Sequence, residues 1–77
     1  MLLTKEISQE IVSVQLSGND GNAFAVMGNV IREMKSQLRG EYSASEINAL
    51  VKEYQADAMS GDYNNLLCVN MEYADCD

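Results

Sequence analysis

A glycine-rich hexapeptide, Ser17-Gly18-Asn19-Asp20-Gly21-Asn22, separates two segments whose hydrophobic periods are incompatible, and this junction constrains the fold more than any other feature. Before it, Val12, Val14 and Leu16 alternate with Ser13, Gln15 and Ser17, the period of a half-buried strand. After it, Phe24, Met27, Ile31, Met34 and Leu38 recur at helical spacing, flanked by Ala23, Val26 and Val30. The chain must therefore change conformation at Gly18, Asn19, Asp20, Gly21 and Asn22. Glycine reaches positive φ at little cost, and Asn22 can accept a backbone N–H from the first helical turn. The spacing predicts a strand over 10–17 and a helix over 23–38 that stops near Gly40. Arg32, Lys35 and Arg39 then complement the negative end of that helix. Gly28 in mid-helix costs about 1 kcal/mol relative to alanine, and predicts close approach of another backbone, from this chain or from a second copy.

Ser43-Ala44-Ser45-Glu46 has the spacing of a capping box, in which serine and glutamate side chains satisfy each other's backbone donors. A second helix follows, with Ile47, Leu50, Val51, Tyr54 and Ala58 on one face and Asn48, Lys52, Glu53 and Asp57 outward. Ser60-Gly61-Asp62 breaks it, and Asp62 is placed to cap what comes next. The tail reads as a short third helix over 63–71 with an extended end; residues 68–73 also fit a strand pairing with 11–16. Residues 1–9 fit either a frayed terminus or an extra turn or strand.

The expected fold is α+β, a single small domain over residues 1–77: one N-terminal strand, two main helices packed antiparallel and a short third helix, with a C-terminal strand as the alternative reading of the tail. A chain of 77 residues buries only about 60% of its unfolded surface. A lone strand leaves backbone groups unpaired, so it needs the tail or a second copy as its mate. With the wide apolar face of the first helix, this leads to the expectation of a homo-oligomer, most simply a two-fold dimer.

The run Leu16-x-Gly18-x-Asp20-Gly21-Asn22-Ala23-Phe24-Ala25, with Gly28 and Val30, resembles a group of short proteins of bacteriophages and prophages. Ala58-Met59-Ser60-Gly61-Asp62-Tyr63, followed by Leu66-Leu67 and Met71, is similar to the C-terminal half of that group. Together the blocks cover roughly half the chain. In that group a histidine often precedes the Leu-Leu pair, where this chain has Asn65, and a cysteine or threonine precedes the methionine, where it has Asn70. The resemblance implies a phage-type origin and brings no activity or cofactor with it.

The chain contains no histidine, which removes the usual general base, the Ser-His and Cys-His pairs and the commonest zinc ligand. Cys68 and Cys76 lie among acidic residues, which disfavours a thiolate, so they read as free thiols and not nucleophiles. Glu53 and Asp57, four apart on the second helix, offer two carboxylates where a hard cation wants six or more oxygens. Aligning Gly21 with the invariant glycine of a calcium loop puts Leu16 and Gly18 in ligand positions, so this is not an EF-hand. The turn also lacks a phosphate-binding lysine, and Asp20 opposes a phosphate there. No catalytic residue, cofactor or metal site is expected.

Charge is the remaining signal. The formal net charge is −7. Residues 1–40 are balanced, with four basic and four acidic groups, whereas residues 41–77 hold Lys52 against eight carboxylates. Such a surface repels nucleic acid and anionic lipid and favours a basic partner. Met1-Leu2-Leu3 is followed at once by Lys5 and Glu6, which suits neither a secretory signal nor a membrane span. The expectation is a cytoplasmic, non-enzymatic interaction protein of phage type, a modulator or inhibitor of a host protein or defence system. It would bind no nucleic acid or membrane, and would dock on a basic surface through an acidic patch of Glu46, Glu53 and Asp57. The alternative is a small-ligand protein that holds an anion or nucleotide at the glycine-rich turn. Met27, Met34, Met59 and Met71, at helical spacing, read as core.

Overall fold

The computed structural model describes residues 2–15 and 22–76. It orders them as α1 (Lys5–Ile11), β1 (Ser13–Val14), α2 (Ala23–Leu38), α3 (Ala44–Ala58), α4 (Tyr63–Tyr73) and β2 (Asp75–Cys76). The result is α+β in the coarse sense and dominated by helix. Of the connector, Gly18, Asn19, Asp20 and Gly21 lie outside the described residues.

Each helix starts where a short polar side chain can accept a backbone N–H of the first turn. Asn22 Oδ1 accepts from Phe24 N at 2.9 Å and Ala25 N at 3.3 Å, opening α2. Ser43 Oγ accepts from Glu46 N at 3.3 Å, and Asp62 Oδ1 accepts from Asn65 N at 2.9 Å. Only half of the expected capping box forms, because Glu46 does not reciprocate: its Oε2 is buried without a hydrogen-bond partner. Asn65 instead secures the end of α3, donating from Nδ2 to the Asp57 carbonyl at 3.0 Å.

The N-terminal strand is the main correction. Thr4 caps α1, accepting from Ile7 N at 3.3 Å, and the helix takes residues 5–11 that the alternating pattern partly claimed. Ile7 and Ile11, one turn apart, pack against the core, and the fully buried Ser8 donates from Oγ to the Tyr73 carbonyl at 2.7 Å. Among the described residues β1 is two residues long and pairs in parallel with β2, Ser13 with Asp75 and Val14 with Cys76. The tail is thus both helix and strand: α4 runs two residues beyond the expected end and β2 follows it.

The other edge of β1 is closed by a side chain. Gln37 Oε1 accepts from Ser13 N at 2.9 Å, and Gln37 Nε2 donates to Ser13 O at 2.8 Å. This amide does for Ser13 what a third strand would do, blunting an edge that could otherwise pair with another chain. The argument for a second subunit from an unpaired strand therefore falls.

Val26, Val30, Met34 and Leu38 of α2, Ile47, Leu50, Val51 and Tyr54 of α3, and Leu66, Val69 and Tyr73 of α4 form one core. Phe24 does not join it. At 100° per residue it sits roughly a quarter-turn from the middle of the buried arc, and it is 75% exposed. The close approach expected at Gly28 is not made from within the chain: among the described residues, a Cβ added there would meet nothing within 4 Å. Gly28→Ala should therefore raise stability by about 1 kcal/mol, and Asn22→Ala should lower it by about the same amount. Thermal melts check both, with expected displacements of about 4–8 °C in opposite directions.

Candidate functional site

Two helix starts and one helix end meet around an apolar groove. Phe24 lies in the first turn of α2, two residues past its cap. Met59 is the residue at which α3 leaves helical geometry, and Tyr63 opens α4. Phe24, Met59 and Tyr63 are 75%, 64% and 38% exposed. With Ala23 at one side and Met27, Ala58 and Leu66 beneath, they enclose about 240 Å³. Asp62, whose carboxylate caps α4, places one negative charge on the rim. Scattered exposed apolar side chains are ordinary on small proteins, but three large ones around one depression are the usual mark of an interaction surface. The methionines divide accordingly: Met27 and Met34 are buried, and Met59 and Met71 are exposed.

The acidic residues expected to form a patch occupy one flank of α3 but are not equivalent. Glu46 and Glu53 border the same shallow depression as Leu2 and Leu3. Glu53 is exposed, whereas Glu46 is half-buried. Asp57 accepts a hydrogen bond from the Tyr73 hydroxyl at 2.7 Å, so it has a structural task as well as a charge. Glu72 of α4 adds a carboxylate, held 3.0 Å from Lys5 Nζ.

Behind this flank lies a buried polar layer. Tyr54 and Tyr73 pack edge to face with ring centroids 5.3 Å apart. The Tyr54 hydroxyl donates to Asn70 Oδ1, while Asn70 Nδ2, in a fully buried residue, has no hydrogen-bond partner. Burial pushes the ionisation of both tyrosines well above the usual range. For Tyr73 the hydrogen bond to Asp57 and the neighbouring Glu53 act in the same direction. Burial and the adjacent Asp75 likewise push the Cys76 thiol up, which keeps it protonated and unreactive at neutral pH.

The tyrosines set an alkaline limit. A raised folded-state value means that their contribution is fully present below pH 10, the ordinary tyrosine value. It is lost as pH rises from there, because the unfolded chain ionises first. In a Tyr42→Phe/Tyr63→Phe background, tyrosinate absorbance should appear only together with loss of the helical circular dichroism signal. Tyrosinate formation while the fold persists would contradict the burial of this layer.

Among the described residues no group of three or more cysteine, aspartate or glutamate side chains could hold a metal ion, and no helix is long and apolar enough to cross a membrane. Of the glycine-rich turn, only Asn22 is described, and its carboxamide caps α2. The acidic row was legible from its i, i+7, i+11 spacing. The apolar groove was missed, although Phe24, two residues after a capping residue, and Tyr63, directly after one, are the signal that could have found it. No family model, no curated protein and no solved structure matches the chain.

Proposed function

We propose that this chain is a non-enzymatic interaction protein that docks on a partner protein presenting an apolar knob ringed by basic residues. The observation that carries the reading is the exposed triad of Phe24, Met59 and Tyr63 around one groove whose rim carries the Asp62 carboxylate. Aromatic anchors supply most of the energy at such surfaces. The carboxylates of residues 41–77, Glu53 foremost, steer the encounter and disfavour acidic competitors. Docking alone can act on a partner, by covering a surface that otherwise holds nucleic acid or another protein. The resemblance to short phage and prophage proteins supports a bacterial host protein as the target and a role in modulating it.

The competing occupant is a second copy of the chain, which the wide apolar surface also invites and which the shared charge of −7 opposes. Sedimentation at tens of micromolar and comparative capture from bacterial lysate test the proposal together. A monomer that retains a stoichiometric basic-surfaced protein, lost when Phe24→Ser and Met59→Ser are combined, supports it. A dimer broken by that same pair of changes, or capture indifferent to them, would overturn it.

A further inference from the structure

The last turns of α2 and the first turn of α3 enclose a second groove, of about 410 Å³, lined by Arg32, Lys35, Ser36, Arg39, Ala44, Ile47 and Asn48. Three of the five basic residues of the chain converge there, and none of its lining residues is acidic. Arg32 donates to Asn29 Oδ1 at 2.6 Å and stands 3.8 Å from the Glu33 carboxylate. Lys35 and Arg39 make no hydrogen bond or ion pair among the described residues. Three like-signed side chains against one adjacent carboxylate, in a chain of net charge −7, form a local potential opposite to that of the molecule as a whole. Ala44 is the first residue of α3, so the positive end of that helix adds to the same potential. Beneath the charges Ile47 and Ala44 give an apolar floor, and Ser36 and Asn48 offer neutral hydrogen-bonding groups.

We propose that this groove binds a small organic phosphate of nucleotide size. Its volume lies in the range of small-molecule sites. Two guanidinium groups and an ammonium suit a phosphate with two or more negative charges, which can accept from all three. The apolar floor suits a planar or aliphatic body attached to that phosphate. A nucleic acid strand fits less well. Charges more than about 8–10 Å away are largely screened at physiological salt, so a small anion feels chiefly the three cations and the Glu33 carboxylate beside Arg32, a net positive set. A polyanion longer than the groove would run over the rest of a molecule whose net charge is −7 and whose shorter dimensions are only 23 Å by 17 Å. The site is separate from the docking groove, roughly 12–22 Å along α2 at 1.5 Å per residue, and does not depend on it.

Calorimetric titration of the whole chain at physiological salt, with ATP, inorganic phosphate, adenosine and a short single-stranded oligonucleotide as probes, tests the proposal. ATP should bind more tightly than either phosphate or adenosine, and more tightly than the oligonucleotide. Combining Arg32→Gln, Lys35→Gln and Arg39→Gln should weaken ATP binding by about tenfold or more, with the helical signal unchanged because all three side chains are exposed. Asn48→Asp, which brings a carboxylate into the groove and leaves the cations intact, should weaken it in the same direction. No heat with ATP, ATP binding untouched by both variants, or tighter binding of the oligonucleotide would each overturn the assignment.

Discussion

Tyr54→Phe should lower the stability of the chain by about 1–3 kcal/mol, and adding Asn70→Leu should return it to the parental level or above. The Asn70 carboxamide sits fully buried with one bond, from the Tyr54 hydroxyl to its Oδ1, while its Nδ2 hydrogens find no acceptor. Removing the hydroxyl orphans the remaining half of the amide, and a buried polar group without a partner costs about 1–3 kcal/mol. In a chain of this length that corresponds to a fall in melting temperature on the order of 10 °C. Leucine at position 70 then removes the stranded amide altogether, in a site whose neighbours are the ring of Tyr54 and the packed faces of α3 and α4. Denaturant melts of the two single variants and the double variant check this as a cycle, since the residues are in contact and their effects will not add. A double variant less stable than Tyr54→Phe alone would contradict the account of this layer. Buried amides of this kind are kept in some proteins for specificity instead of stability.

Phe24→Ser should weaken docking on the partner by about 30-fold, the equivalent of about 2 kcal/mol, while leaving the fold intact. A side chain 75% exposed contributes little to the core, so its loss should leave the melt nearly unchanged. Met59→Ser and Tyr63→Ser should act in the same direction, Met59 more weakly, because aromatic anchors in desolvated pockets dominate such surfaces. A fall in affinity matched by a fall in melting temperature would instead assign these residues to packing.

The caps and long helices were legible because their determinants are local. Asn22 before α2, Ser43 before α3 and Asp62 before α4 are each a short polar residue preceding a helical period, and each accepts the N–H bonds expected of it. α1 was not legible, because seven residues carry barely two apolar positions per face. Its Ile11 also abuts Val12, blurring the helical period into the strand alternation. The β1–β2 pair was half legible: two residues hold no period, and their parallel register depends on where α4 delivers the tail, which is a tertiary outcome. At the apolar groove the limit was the same. Helical spacing places Phe24 on the edge of the apolar arc, and only the position of the α3–α4 turn decides that this edge faces solvent. Arg32, Lys35 and Arg39 were read only as complements to the end of their own helix, because the opposite wall of the groove, Ala44, Ile47 and Asn48, comes from another helix.

The most direct test of the interaction account is the kinetics of the purified chain on its captured partner, measured by surface plasmon resonance at low and high salt. The account predicts that Phe24→Ser raises the dissociation rate and leaves association nearly unchanged. It also predicts that combining Glu46→Gln, Glu53→Gln and Asp57→Asn slows association and flattens its salt dependence, with dissociation little altered. Asp57→Asn keeps an acceptor oxygen for the Tyr73 hydroxyl, so the triple change tests charge and not folding. Association independent of salt, with both variants binding and dissociating as the parent does, would contradict the account.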